Sequence, residues 1–345
     1  MNVKDNEISG KILVLGGAGF IGSHFVRLIT SEFPNFFCVN FDALKYSGNL
    51  ENLKDVVSNN YRFIKGDICN IDDLSRTFDE FNPDYVINFA AESHVDNSIH
   101  GDASAFVNTN VVGVFNILEQ IRKRKNIRKF LQVSTDEVYG DLPIESDERF
   151  TPDTPLRPNS LYASSKAQAD LMCRAYFKTF KVPVVITRCG NNYGTHQYPE
   201  KLIPFFILRL LEGKKLPLYG NGQNIRDWVH VIDHAKALSE VLFSAPEGSV
   251  YNIGADCPRS NLDVAKRILK HFDADESMIE YVTDRPAHDA KYHIDASLLE
   301  KELGFKAEMK FDDSIDEVIQ WYIENRSWID DILSQSKLIN KHIVS

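Results

Sequence analysis

Two stretches of the chain carry residue types that could do chemistry together. Ser134-Thr135-Asp136-Glu137 places a hydroxyl and two adjacent carboxyls at the end of an apolar run, residues 130–133. Tyr162 follows Glu137 by 25 residues, with Lys166 four further on. At i and i+4 these two share one face of a predicted helix over 160–180. A phenol titrates at about 10 and is a poor base at neutral pH. An ammonium one turn away is expected to stabilise the phenolate and lower that value. If the stretches meet, one site holds a base for a hydroxyl proton and two separate carboxyl acid/base groups, more than a simple dehydrogenase needs. Alone, neither stretch is specific: adjacent carboxyls are usually solvated, and Tyr-x-x-x-Lys is common on helix surfaces. Position decides here, because the carboxyls terminate a strand at the edge where open α/β sheets bind ligands.

A second element is Gly16-Gly17-Ala18-Gly19-Phe20-Ile21-Gly22, directly after the first apolar run, 11–15, and opening an amphipathic stretch. Glycines at this spacing allow a tight turn and close approach of backbone to a pyrophosphate at a helix N-terminus. A glycine motif alone is weak, but Asp42 stands at the end of the second predicted strand, 20 residues after Gly22. An acid there accepts from ribose hydroxyls and repels a 2′-phosphate, so the spacing predicts NAD rather than NADP. Asp67-Ile68, ending the third strand, is expected to flank the adenine, or to be an ordinary strand end. Ala90-Ala91, after the fourth strand, are small enough for the middle of the cofactor to pass, with Ser93 and His94 beyond.

The elements that must position these residues alternate. Strands are predicted at 11–15, 36–41, 61–64, 85–89, 130–133 and 184–187, with amphipathic helices such as 105–122 and 160–180 between them. This alternation predicts a Rossmann-type α/β fold, a doubly wound parallel sheet covered on both faces. After Arg188 the texture changes. Residues 190–200 read as a loop, 201–212 as a helix, 213–224 as turns, and 261–272 and 311–325 as helices. The expected organisation is a polar extension over 1–9, a dinucleotide-binding domain over 10–189, and a smaller substrate-binding α/β domain over 190–345. One strand at 250–253 is expected to return to the sheet.

Composition narrows the class. With 345 residues, 43% hydrophobic and 26% charged, the chain is of globular type and long enough for a substantial core. Its net charge of −10 argues against a nucleic-acid binder, which needs a basic surface. The longest apolar run, 202–208, contains Pro204 and stops at Arg209, so no membrane span is expected; residues 1–7 carry acids and no apolar core, so no signal peptide is expected. The five cysteines, Cys38, Cys69, Cys173, Cys189 and Cys257, are scattered and form no C-x-x-C. Neither a disulfide framework nor a metal site is indicated, and a reduced cytoplasm fits.

Taken together, these residues make the chain resemble the extended short-chain dehydrogenase/reductase family of nucleotide-sugar enzymes, over residues 11–328. The likeness rests on Gly16 to Gly22, Ala90 to Asp96, Ser134 to Gly140, Tyr162 with Lys166, Asn191 to Gly194, Tyr198 to Pro204, Ile225 to Trp228 and Asp284 to Asp289. Departures are Leu15 for a usual Thr, Asn97 for a frequent Arg, an added residue after Ile99, and Ala287 and Ala290 for a common Gly and Arg. Asp136-Glu137 together resemble the family's 4,6-dehydratases of dTDP-glucose, and also those of UDP-glucose. Related epimerases lack the pair, and decarboxylases tend to keep only the Glu.

The resemblance implies a lyase that oxidises sugar C4, eliminates water across C5 and C6, and returns hydride to C6, within deoxysugar (such as rhamnose) biosynthesis. In it Tyr162 beside Lys166 takes the C4 hydroxyl proton, Thr135 hydrogen-bonds the same oxygen, Glu137 removes the C5 proton and Asp136 protonates the departing C6 oxygen. Ser93, His94, Asn191, Lys201, Leu202, Arg226, Asn261, Arg285, His288 and Tyr292 become the substrate-binding candidates, with dTDP-glucose the expected substrate. A homodimer paired through 105–122 and 160–180 is also implied. The competing readings are a 4-epimerase or decarboxylase on the same scaffold, and a non-catalytic NAD-binding protein.

Overall fold

The computed structural model describes residues 9–335. The polar extension expected over 1–9 lies, apart from Ser9, outside the described residues, as does 336–345. In chain order the strands are β1 (Gly10–Leu15), β2 (Phe36–Asp42), β3 (Tyr61–Lys65), β4 (Tyr85–Asn88), β5 (Lys129–Thr135), β6 (Val184–Cys189), β7 (Asn191–Tyr193), β8 (Leu216–Tyr219), β9 (Ile225–His230), β10 (Val250–Ile253), β11 (Pro258–Ser260) and β12 (Ile279–Val282). The helices are α1 (Phe20–Glu32), α2 (Ile71–Phe81), α3 (Val95–His100), α4 (Ala103–Val107), α5 (Val114–Arg122), α6 (Leu161–Phe180), α7 (Leu202–Leu211), α8 (Val231–Ser244), α9 (Asn261–His271), α10 (Ser297–Leu303), α11 (Phe311–Glu324) and α12 (Arg326–Gln335).

Seven strands form one parallel sheet in the order β10-β6-β5-β4-β1-β2-β3. Alternation along β1 shows why it is covered on both faces. Ile12 and Val14 pack with Phe25 of α1 and Leu238 of α8, while Leu13 and Leu15 pack with Phe78 of α2 and Ile117 of α5. Each such fully buried side chain contributes about 1.5–3 kcal/mol of hydrophobic stabilisation. The order reverses between β1 and β4, so the loops leaving their carboxyl ends diverge and open a crevice.

Local chemistry sets the helix ends. The Asn70 side chain accepts from the Asp72 and Asp73 amides and starts α2, whose first turn carries both acids. Ser160 accepts from the Ala163 amide and starts α6, which stops at left-handed Lys181. The helix expected over 105–122 is instead interrupted: a π-helical turn, Asn108–Gly113, separates α4 from α5. Its widened turn frees Asn110, which exchanges hydrogen bonds with the Glu92 backbone (2.9 and 3.0 Å) and donates to Ser165 Oγ (2.8 Å).

The later chain differs from its sequence reading. Residues 190–200 are not all loop, since β7 pairs with β9 and through it with β11. The turn-rich 213–224 contains β8, paired with β12. Three- and four-residue strands are too short for alternation to show, and Pro217 and Gly220 disguise β8. These small sheets share a core with α7, α9 and α11, built on Tyr193, Phe206, Trp228, Ile268, Phe311 and Tyr322. Residues of α8, β10 and α10, by contrast, join the core of the large sheet.

Candidate active site

Three contiguous hollows run along the carboxyl edge of the large sheet. The first lies over the β1, β2 and β3 ends and is lined by Gly16, Gly19, Asp42, Asp67, Ile68, Ala90 and Ala91. The second is lined by Phe20, Ile21, Gly22, Thr135, Asp136, Glu137, Tyr162 and Lys166. The third, walled by the later chain, is lined by Ser93, His94, Asn191, Lys201, Leu202, Arg226, Asn261, Arg285, His288 and Tyr292. Glu137, Asn191 and Lys201 line both the second and the third. Every residue singled out from the sequence as cofactor-binding, catalytic or substrate-binding therefore borders one continuous groove.

The first hollow suits a dinucleotide. Gly16 has φ of +80°, and a Cβ there would meet the Ala90 amide at 2.5 Å. A Cβ on Gly22 would collide with the Gly16 carbonyl, whereas on Gly19 it would meet only that carbonyl, at 3.5 Å, and fill the groove. Among the described residues no side chain caps α1 at Gly19, so its first turn faces the groove with its amide dipoles available to a pyrophosphate. The Asp42 carboxylate is oriented by the Ala18 amide (2.9 Å) and the Leu44 amide (2.8 Å). Asp67 accepts from the Cys69 amide (2.9 Å) and pairs with Lys45 (2.7 Å). Lys45 lines the same hollow and was missed from sequence because nothing in its spacing marks it.

The catalytic candidates converge because β5 runs on through Thr135 and ends in one 3-10 turn, Asp136–Tyr139. A brace holds that turn. Tyr139 Oη donates to Asn252 Oδ1 (2.6 Å) and accepts from Arg188 Nη1 (3.0 Å), and Arg188 Nε donates to buried Asp170 (2.9 Å). Asp136 is buried, and burial, then Glu137, then Asp227 push its carboxyl well above the usual range. Burial also raises Glu137, opposed by the cations Arg285, Arg226 and Lys201. Both carboxyls are therefore pushed toward the protonated form, Asp136 the more strongly, while three cations oppose the shift at Glu137.

Tyr162 corrects one expectation. Its phenol is raised well above 10 rather than lowered, by burial first and then by Glu137, with a hydrogen bond to Thr135 opposing. Lys166 Nζ donates to the Val133 carbonyl at 2.7 Å, which engages one of its three ammonium protons. Desolvation therefore outweighs the cation one turn along.

In the third hollow Arg226 lies over the Tyr292 ring (4.3 Å to its centroid) and donates to the Asp289 carbonyl (2.9 Å). Lys201 Nζ donates to the Ser93 carbonyl (2.9 Å). His288 is held neutral, lowered to about 4 by burial and by Arg285 and Arg226, with Nδ1 2.6 Å from Asp284. Asn261 opens α9, and Leu202 opens α7. His94 is buried at the start of α3, 3.8 Å from Glu200. Glu200, which burial pushes up to about 7, lies in the Tyr198–Pro204 stretch, where no local sequence signal marks it. Asp96 of α3, Tyr219 of β8 and Trp228 of β9 also wall this hollow, and the place of the last two depends on strand pairings invisible in the sequence.

Residues 13–318 match the family model described as GDP-mannose 4,6 dehydratase. A dTDP-glucose 4,6-dehydratase of Salmonella typhimurium is 44% identical, the match covering 94% of this chain and 96% of the relative. A probable dTDP-glucose 4,6-dehydratase of Sinorhizobium fredii is 47% identical, over 92% and 94%. The crystal structure of the dTDP-glucose 4,6-dehydratase from Bacillus anthracis in complex with NAD superposes with a TM-score of 0.87 at 45% identity, covering 93% of this chain and 99% of that one. A UDP-glucose 4-epimerase of Thermus thermophilus, also with NAD, has the same architecture (TM-score 0.83) at 28% identity over 91% and 99%. By sequence over nearly its whole length and by fold, the chain belongs to the GDP-mannose 4,6 dehydratase family, among its dTDP-glucose 4,6-dehydratases.

Proposed function

We propose that the chain is an NAD-dependent hydro-lyase that converts dTDP-glucose to dTDP-4-keto-6-deoxyglucose and water. The observation that carries this reading is the Asp136-Glu137 pair in the same hollow as Tyr162 and Lys166. NAD, when bound, supplies the acceptor and later the donor of one hydride. Gly16, Gly19 and the start of α1 hold its pyrophosphate, Asp42 its ribose, and Asp67 and Ile68 its adenine.

The protein's own residues move the protons. Tyr162 takes the C4 hydroxyl proton, with Thr135 orienting the same oxygen and Lys166 supplying positive charge nearby. A C4 ketone acidifies the C5 hydrogen, and Glu137, at the junction with the third hollow, removes it. Asp136, protonated through burial, delivers its proton to the departing C6 oxygen, and Glu137 returns a proton to C5. Lys201, Arg226 and Arg285 face the diphosphate, while Ser93, His94, Asn191, Leu202, Asn261, His288 and Tyr292 wall the sugar and nucleoside.

The division into a dinucleotide-binding part, 10–189, and a mainly substrate-binding part, 190–345, belongs to this proposal. So does a homodimer, supported by apolar side chains exposed on the paired-helix candidates: Val107, Val112 and Phe115, with Leu171 and Phe180 on α6. The proposed setting is the reduced cytoplasm, supported by five unpaired thiols, and the proposed product serves deoxysugar synthesis such as that of rhamnose. Mass spectrometry of dTDP-glucose incubated with the purified protein and no added NAD tests the reading, with UDP-glucose in parallel. Loss of one water from the dTDP sugar is the expected result; loss only from UDP-glucose changes the nucleotide, and no loss with either after adding NAD overturns the activity.

A further inference from the structure

An acid has no direct use in a site for a diphosphate, yet Asp96 sits in the wall of the third hollow among Lys201, Arg226 and Arg285. Its carboxylate spans two segments far apart in sequence. Oδ1 accepts from Arg285 Nη1 at 3.2 Å, and Oδ2 accepts from Tyr219 Oη at 3.2 Å. Asp96 itself is 5% exposed and belongs to α3. One buried group thus ties α3, the end of β8 and the 284–289 turn. The Arg285 backbone is fixed independently, its amide donating to Asp284 Oδ1 at 2.8 Å. Only one edge of the guanidinium is engaged: Arg285 Nε is buried with no hydrogen-bond partner among the described residues. A buried guanidinium N–H left open in a cation-rich hollow is set to meet an anionic oxygen.

We propose that Asp96 is a positioning residue, whose bridge between Tyr219 and Arg285 aims the Arg285 guanidinium at the diphosphate of the nucleotide sugar. An arginine carries several rotatable bonds, and fixing it before the ligand arrives removes that entropy loss from binding. The proposal rests on the reading of the third hollow as the nucleotide-sugar site. The neighbouring Asn97 is exposed, and neither hydrogen bond of the bridge involves it.

The test compares wild type, Asp96→Asn, Arg285→Lys and the double variant, measuring kcat and KM for dTDP-glucose and the calorimetric Kd for dTDP. Asp96→Asn is expected to raise KM and Kd roughly tenfold, the loss expected for one charge-assisted hydrogen bond, with kcat held within about twofold. In the Arg285→Lys background the same change should add less than about twofold, because both act through one contact. Unchanged KM and Kd, or an undiminished effect in the double variant, overturns the proposal, as does a fall in kcat that tracks melting temperature. If Asp96→Asn does not fold, Asp96→Glu, which shifts the charge by one methylene, takes its place with the same expectations. Wild-type turnover separates this failure from failure of the assigned activity, which would leave no dTDP-glucose conversion to compare.

Discussion

Lys166 Nζ donates to the carbonyl of Val133 at 2.7 Å, and so anchors helix α6 to strand β5 two residues before Thr135. The bond sets the register between the phenol on the helix and the carboxyls on the turn. It also spends one ammonium proton on backbone rather than on Tyr162, whose ionisation burial opposes. Without bound dinucleotide, ultraviolet difference titration of wild type against Tyr162→Phe should show no phenolate from Tyr162 below pH about 10. A phenolate forming near neutrality in that state would contradict the arrangement. In turnover, Tyr162→Phe should lower kcat by about 10²–10⁴, the range for loss of a positioned proton acceptor.

Asp136 predicts a cost in stability. Its folded-state pKa is raised, so between the ordinary value of 3.8 and the raised one the native state binds a proton that the unfolded state does not. Stability should fall as pH rises through that window, being fully present only below it. Asp136→Asn removes the titration and should stabilise the protein at pH 7 by about 1–2 kcal/mol in urea melts, the gain vanishing toward pH 4, while dehydration is lost. A variant less stable than wild type at pH 7 would argue against a strained acid here.

Glu137 separates oxidation from elimination. Glu137→Gln keeps the shape and removes the base, so water loss followed by mass spectrometry should slow by about 10²–10⁴. Dissociation of dTDP should stay within a few-fold of wild type. Wild-type turnover in this variant would remove Glu137 from the chemistry.

Asp42 carries the cofactor preference. Replacing it with Asn removes a charged acceptor for the ribose and the repulsion toward a 2′-phosphate. NAD affinity should drop roughly tenfold or more and NADP affinity rise, read by fluorescence titration of the stripped protein. An unchanged preference would place the discrimination elsewhere.

Ala287 adopts φ of +51°, a left-handed conformation that costs a side-chain-bearing residue about 1–2 kcal/mol. It lies between Arg285 and His288 in the turn that walls the third hollow. Ala287→Gly should raise stability by up to about 1 kcal/mol, less the entropy glycine adds to the unfolded chain, with KM nearly unchanged. A clear destabilisation in denaturant melts would mean the methyl group makes contacts that outweigh the strain.

The parts of this site that were legible in the sequence are those whose chemistry is local. Gly16 to Gly22 and Asp42 announce a dinucleotide because a turn, a helix start and a strand end must recur at those offsets. Asp136-Glu137 and Tyr162 with Lys166 each fit within one element. Direction was not legible: that Lys166 faces a carbonyl depends on how deeply α6 seats against β5. Nor were β7, β8 and β12, which are too short to show a period and exist because partners far along the chain complete their hydrogen bonds. The π-helical turn at Asn108–Gly113 hides inside an unbroken amphipathic pattern. Lys45, Asp96 and Tyr219 owe their places to contacts across more than 20 residues, beyond any local signal.

The return of α8 and β10 to the large sheet bears on the order in which the protein can be made. Residues 190–230 leave the sheet, form part of the substrate wall, and only then does β10 take its place against β6. Asn252, on that last strand, is also the far end of the brace that steadies the Asp136–Tyr139 turn. A ribosome-bound chain that has emerged only through residue 189 lacks both the edge strand and the Asn252 end of the brace, whatever its dinucleotide loop can do. The catalytic turn should therefore lock late in synthesis, as a non-local step, and truncations before about residue 305 should aggregate rather than yield a dinucleotide-binding fragment.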